Sequence, residues 1–164
     1  MDASTFEFSV RHIGFFEVEG VIDVGEGSLT FDASRPDSTK AHILLSVESI
    51  DTGNALRDKE LVSEDFLDAR RYPSIEFRSS SVQPDTLSDG ALLITGIMSI
   101  YGAHREISIS AVLKPDESGD FVTIKSEFSI QRHDYELHFG RASDGLVGKE
   151  VKITVDLLAK KSLL

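Results

Sequence analysis

The sequence predicts an all-β protein: eight or nine antiparallel strands closed into a barrel, with one short helical insertion between the fourth and fifth strands. Three observations carry this. Apolar and polar residues alternate at period two along most of the chain, the signature of strands with one buried face. The links between alternating runs are short and punctuated by Gly, Pro and Asp, without the strand–helix–strand rhythm of a parallel sheet, so neighbours pair antiparallel. One link differs: the stretch from Ser49 to Phe77 far exceeds the roughly two to five residues of a hairpin loop and carries a helical pattern.

Taken in order, the first strand runs from Thr5 to His12, with Phe6, Phe8, Val10 and His12 opposed to Thr5, Glu7, Ser9 and Arg11. The alternation restarts after Gly14 with Phe16, Val18, Gly20, Ile22 and Val24, predicting a hairpin. Gly25 to Gly27 then predict a turn, and Leu29 and Phe31 a short third strand, closed by a loop around Pro36. The fourth strand, Ala41 to Asp51, carries Ile43, Leu45 and Val47 in one row. Thr52 or Asn54 caps the inserted helix, whose apolar positions are Leu56, Leu61, Phe66 and Leu67, predicting a cap over one barrel mouth. Ile75 and Phe77 resume the alternation in the fifth strand, Ser74 to Gln83. The sixth has Leu92, Ile94, Gly96 and Met98 on one face and Leu93, Ile97 and Ile100 on the other, which predicts cover on both faces. Ile107, Ile109, Ala111 and Leu113 mark the next strand, and Val122, Ile124, Phe128 and Ile130 the one after. A polar, glycine-bearing segment from Arg132 to Gly148 precedes the last strand, with Val151, Ile153, Val155 and Leu157. A barrel of eight strands removes its edges by closure, and its interior is filled by side chains or holds one small ligand. Gly20 and Gly96, facing inward, and the absence of Trp are expected to leave room for one.

Composition narrows the function. One domain, 1–164, is expected, and 40% hydrophobic residues exclude disorder. The balance of 17 basic against 28 acidic residues, a net charge of -11, excludes nucleic acid and strongly anionic membranes, which require clustered Lys and Arg. Without cysteine there is no disulfide or thiolate chemistry. No apolar run reaches the length of a membrane span and Met1 is not followed by a basic start and apolar core, so a soluble, cytoplasmic protein without stable membrane insertion is expected as the chain reads, periplasmic or secreted if a signal peptide has been removed.

Five motifs in order and spacing carry a resemblance: TFEFSVRHIGF, SIDTGNALRDKEL, SEDFLDARRYPSIEFRS, TGIMSIYGAHREISI and FSIQRHDY. The most specific are the segment with Thr52, Asn54, Arg57 and Asp58 and the segment with Asp65, Phe66, Asp68, Tyr72, Pro73, Ile75 and Phe77. From Ser4 to about Leu158 the sequence resembles the YceI-like family of polyisoprenoid-binding proteins. The resemblance implies an extended, eight-stranded lipocalin-like barrel that binds, transports or sequesters a long-chain isoprenoid lipid, such as a prenyl quinone or prenyl phosphate, in an axial tunnel. It allows a homodimer. Glu60 and Glu136 depart from the family pattern at the polar end of the site.

The candidate ligand-binding residues are Phe6, Phe8, Val10, His12, Phe16, Val18, Leu45, Leu61, Phe66, Ile75, Phe77, Ile94, Met98, Ile109, Phe128, Ile130, Arg132 and Tyr135. Arg57, Asp58, Arg132 and Asp134 either tie down loops or meet a headgroup at the tunnel mouth, since a guanidinium forks onto phosphate or quinone oxygens. No cofactor beyond the bound lipid is expected. His133 and His138 match no standard metal spacing, so no metal site is expected, and no GxSxG, HExxH or phosphate-loop motif points to catalysis. Two other readings remain open: an enzyme acting on an isoprenoid lipid, using His12 or the Arg–Asp pairs, and a filled barrel serving as a protein-interaction module.

Overall fold

A computed structural model describes residues 4–160; the outermost residues of the expected 1–164 domain lie outside it. Nine antiparallel strands follow one another as β1 (Thr5–His12), β2 (Phe16–Ile22), β3 (Val24–Thr30), β4 (Lys40–Ser46), β5 (Ser74–Pro84), β6 (Leu92–Ile100), β7 (Ala103–Pro115), β8 (Phe121–Gln131) and β9 (Val147–Lys160). One helix, α1 (Ala55–Val62), lies between β4 and β5. All nine form a single curled sheet in the order β2-β1-β9-β8-β7-β6-β5-β4-β3.

The class is the one the alternation predicts, but there are nine strands, not eight, and closure is incomplete. The two edges of the sheet are β2 and β3, which follow each other in sequence and do not pair. Asp51 closes part of this seam: its N–H donates to the Val21 carbonyl at 3.0 Å and its carbonyl accepts from the Val21 N–H at 2.9 Å. The predicted turn at Gly25 to Gly27 lies inside β3, where the register shifts between Val24 and Glu26. A bulge, not a reversal, uses these glycines, and the chain turns at Asp23, whose carbonyl accepts from Ser46 N–H at 2.9 Å. β4 stops at Ser46, short of the predicted Asp51, because a 3₁₀ turn begins at Val47.

The inward row of β6 is buried at Leu92, Ile94, Met98 and Ile100, and the same face of the sheet contributes Phe6, Phe77, Ile153 and Val155 to the core. The second row of β6 is not covered: Ile97 is 38% exposed, and Ile100, expected in that row, belongs to the buried one because it stands two residues on from Met98. A Cβ would not fit at the two inward glycines. At Gly20 it would collide with the Phe8 ring and stand 2.9 Å from Thr52 Cγ2; at Gly96 it would collide with the Arg78 carbonyl and stand 2.8 Å from Phe77 Cζ. These glycines let phenylalanine rings and a neighbouring strand close in, so the room expected there is already taken.

Candidate functional site

A cavity of about 140 Å³ opens in the core near one end of the curled sheet. Ten of the predicted residues line it: Phe6, Phe8, Val10, Leu45, Leu61, Phe66, Ile75, Met98, Ile130 and Arg132. β1 supplies the first three because its even-numbered side chains face inward, and the long pleated neighbours β9 and β8 extend that wall with Val151, Ile153 and Ile130.

The other predicted lining residues stand elsewhere. Phe77, Ile94 and Tyr135 are buried in the core outside the cavity wall, and Ile109 and Phe128 are half-buried against it. His12, Phe16 and Val18 lie toward the β1–β2 hairpin tip, where His12 pairs with Phe16. Phe16 is 66% exposed there, because the hairpin extends past the interior it was expected to line. The cap is also different from expectation in one residue: Leu56 is 83% exposed. No α1 residue is fully buried. Leu61 reaches the cavity from α1, while Phe66 and Leu67 reach it from the turn that follows. That turn folds back on α1 through Leu67 N–H to Leu61 carbonyl at 3.1 Å and Ala69 N–H to Val62 carbonyl at 3.0 Å.

The second wall of this end was missed. Leu137, Phe139 and Val147, from a segment read as polar, also line the cavity. Phe139 stacks on Phe66 with centroids 4.3 Å apart, so two covers meet at one aromatic contact. The alternation Tyr135, Leu137, Phe139 was the signal available for it.

Three of the four charged candidates, Arg57, Asp58 and Arg132, are committed to structure. Arg57 and Asp58 do not pair with each other; both bind Thr52. Arg57 Nε donates to Thr52 Oγ1 at 2.8 Å and its Nη2 to the Thr52 carbonyl at 2.9 Å, while Asp58 Oδ1 accepts from Thr52 N–H at 2.9 Å. With Asn54 Oδ1 accepting from Arg57 N–H at 3.1 Å, this knot starts α1. Asp134 is exposed. Arg132, 2% exposed, pairs with Asp144, not Asp134. Its five N–H groups all have acceptors: Gly148 O at 2.9 Å, Leu137 O at 2.8 Å, Asp144 Oδ1 at 2.6 Å, Asp144 O at 3.0 Å and Val147 O at 2.9 Å. A guanidinium has no sixth donor, so Arg132 offers a headgroup no hydrogen bond. It holds the 132–148 segment in place instead, and its hydrogen bond keeps the Asp144 carboxyl down at about 2. Burial, with Asp134 adding to it and Arg105 opposing, pushes the Tyr135 phenol up to about 12; its hydroxyl has no partner among the described residues.

A curled antiparallel sheet around a small apolar cavity, covered at one end by an inserted helix and a long loop, places the chain in the class of lipocalin-like half-barrels. Within that class, the chain belongs to the YceI-like family, whose domain it matches over residues 1–159. It is 34% identical over 108 residues to a UPF0312 protein of Shewanella denitrificans, a match covering 66% of this chain and 56% of that protein. The match thus spans about half the length of that relative. The fold is similar to that of Burkholderia cenocepacia BcnA, with a TM-score of 0.86, 21% identity and 96% of each chain covered. It is also similar to a polyisoprenoid-binding domain from Saccharophagus degradans implicated in plant cell wall breakdown, with a TM-score of 0.74, 14% identity and coverage of 97% of this chain and 94% of that one.

Proposed function

We propose that the protein binds the apolar tail of a long-chain amphiphile of the isoprenoid class and carries or sequesters it without chemical change. The observation that carries this reading is the cavity wall. Among the described residues only Glu7 and Arg132 of its lining are ionisable; Glu7 stands on the exposed row of β1, and the donors of Arg132 are fully used. Such a wall favours hydrocarbon and gives catalysis no nucleophile and base to work with. The polyisoprenoid-binding domain of Saccharophagus degradans, which shares the fold, supports the choice of ligand class.

Size sets the terms of binding. An apolar cavity of about 150 Å³ takes a benzene-sized molecule, so about 140 Å³ takes roughly one isoprene unit without rearrangement. Each unit buried is worth about 3–4 kcal/mol before ordering costs. A longer tail has to displace side chains, and the unpaired seam between β2 and β3 is where the wall yields most readily. Affinity then comes from the tail, and headgroup selectivity is weak.

Native mass spectrometry of the purified protein, with organic extraction and titration with prenyl alcohols of increasing length, tests the proposal. One bound lipid per chain is expected. Leu61→Trp, at the cavity edge, and Ile153→Phe, deeper in it, should each reduce occupancy while the fold persists. Protein that is reproducibly empty and takes up no prenyl alcohol would overturn the reading, and turnover of a prenyl lipid would replace it with an enzymatic one.

A further inference from the structure

Outside the cavity, behind the Arg132 side chain, the 132–148 segment brings three metal-ligating side chains together. His133 stands on the 3₁₀ turn Arg132–Tyr135, and Asp144 opens the 3₁₀ turn Asp144–Leu146. His138 lies between them, and one donor atom from each residue lies within 4.8 Å of the other two. His133 Nε2 is 3.0 Å from Asp144 Oδ2, and His138 Nδ1 is 4.0 Å from the same oxygen. The two imidazole rings are 4.4 Å apart at 35°.

Three features distinguish this cluster from incidental neighbours. Asp144 is oriented: Oδ1 accepts from Arg132 Nη1 at 2.6 Å and from Phe139 N–H at 2.8 Å, which leaves Oδ2 turned to the histidines. His133 Nε2 is buried and, although 3.0 Å from Oδ2, makes no hydrogen bond, so the two atoms meet off hydrogen-bond geometry. His138 has a carboxylate on its far side, Glu136 Oε2, 3.7 Å from its Nε2 and not hydrogen-bonded to it, which leaves the ring free to turn. A carboxylate behind a ligating imidazole and a fixed partner behind a ligating carboxylate are the supports that metal sites use.

We propose that His133 Nε2, His138 Nδ1 and Asp144 Oδ2 form a site for one borderline divalent transition metal, Zn²⁺ being the best match. Two imidazole nitrogens and one carboxylate oxygen suit that ion and leave a further position open to water. Bonds of about 2.0–2.2 Å in a tetrahedral arrangement bring donors within roughly 3.5 Å of one another, so the cluster needs to contract slightly. Rotation of His138, which is half exposed, supplies that movement. The Arg132 charge opposes a cation, and Glu136, beside His138, offsets it in part, so binding is moderate rather than tight. The ion would clamp the segment that carries Leu137, Phe139 and Val147 into the cavity wall. The site stands on this geometry alone and does not depend on which ligand the cavity takes.

The test uses tag-free, chelator-stripped protein titrated with Zn²⁺ by calorimetry and with Co²⁺ by visible absorption. One ion per chain is expected, with the intense bands of low-coordinate Co²⁺ and a melting temperature raised by Zn²⁺ but not by Mg²⁺. His138→Gln and His133→Gln should each weaken binding at least about tenfold, the size of effect that even supporting partners produce. His138→Gln should leave the metal-free melting temperature unchanged, which keeps the test valid if the partly buried His133 variant is unstable. Absence of a one-to-one complex, or equal affinity in the His138 variant, would overturn the site and assign any binding to surface carboxylates.

Discussion

Replacing Arg132 by lysine would keep the charge and lose the geometry. Five acceptors converge on the guanidinium, four of them backbone carbonyls of the 132–148 segment and the start of β9. An ammonium has three donors on a flexible stem and would leave at least two of these acceptors unpaired in the interior. Removing one partner of a buried network costs about 3–5 kcal/mol. Arg132→Ala should fall in that range and Arg132→Lys should recover only part of it, measured by urea denaturation. A lysine variant as stable as the parent would show that the segment is held by packing alone and would reopen a headgroup role for this residue. Whether Arg132 met a ligand or the protein was open in the sequence, because its acceptors come from main-chain atoms that no residue pattern reveals. Gly96 shows the same blindness in reverse: it reads as space, and a phenylalanine ring and a carbonyl fill it.

At the scale of elements, the strands were legible and the covers only partly. Period-two alternation located β1, β5 and β8, since along much of each strand more buried positions alternate with exposed ones. It failed at β3, where Gly25 and Gly27 look like a turn but serve a bulge, and in the 132–148 segment, whose apolar residues are too few to stand out among charged neighbours. That segment and the α1 insertion meet at the Phe66–Phe139 stack. A double-mutant cycle with Phe66→Ala and Phe139→Ala should give a coupling of about 0.5–1.5 kcal/mol, beyond what each loses in burial. Zero coupling would mean that the two covers close the cavity independently. Farther along the sheet, Glu76 accepts from Arg78 Nη2 at 2.9 Å and lies 2.6 Å from His42 Nε2. The His42 hydrogen bond, followed by that from Arg78, holds its carboxyl below the usual range. A lowered carboxyl stabilises the fold above its unfolded value, about 4.5, and that contribution disappears as pH falls through the folded value. The pair is partly solvated, so the effect is below about 1 kcal/mol. Glu76→Gln should lower stability at pH 7 and converge with the parent in acid, followed by thermal melts across pH; a constant gap at all pH values would exclude the linkage.

For the whole molecule, the decisive feature is that nine strands curl without closing. Closure was expected because exposed edges are a liability, and among the described residues one isolated bridge meets the β2 edge of the seam, from Val21 to Asp51 in the segment that follows β4. Both hydrogen bonds of that bridge form, which sets the two Cα atoms about 5.5 Å apart, inside the range a disulfide spans. The chain has no cysteine, so Val21→Cys with Asp51→Cys introduces one clean, reversible lock. If long tails enter by parting the seam, the oxidised variant should take up a prenyl chain of several units much more slowly than the reduced form. A molecule small enough for the existing cavity should enter both forms at similar rates. Stopped-flow displacement of a fluorescent apolar probe measures the two cases side by side. Equal rates for the long chain in both redox states would place entry elsewhere, and the end closed by Phe66 and Phe139 would then be the next gate to test.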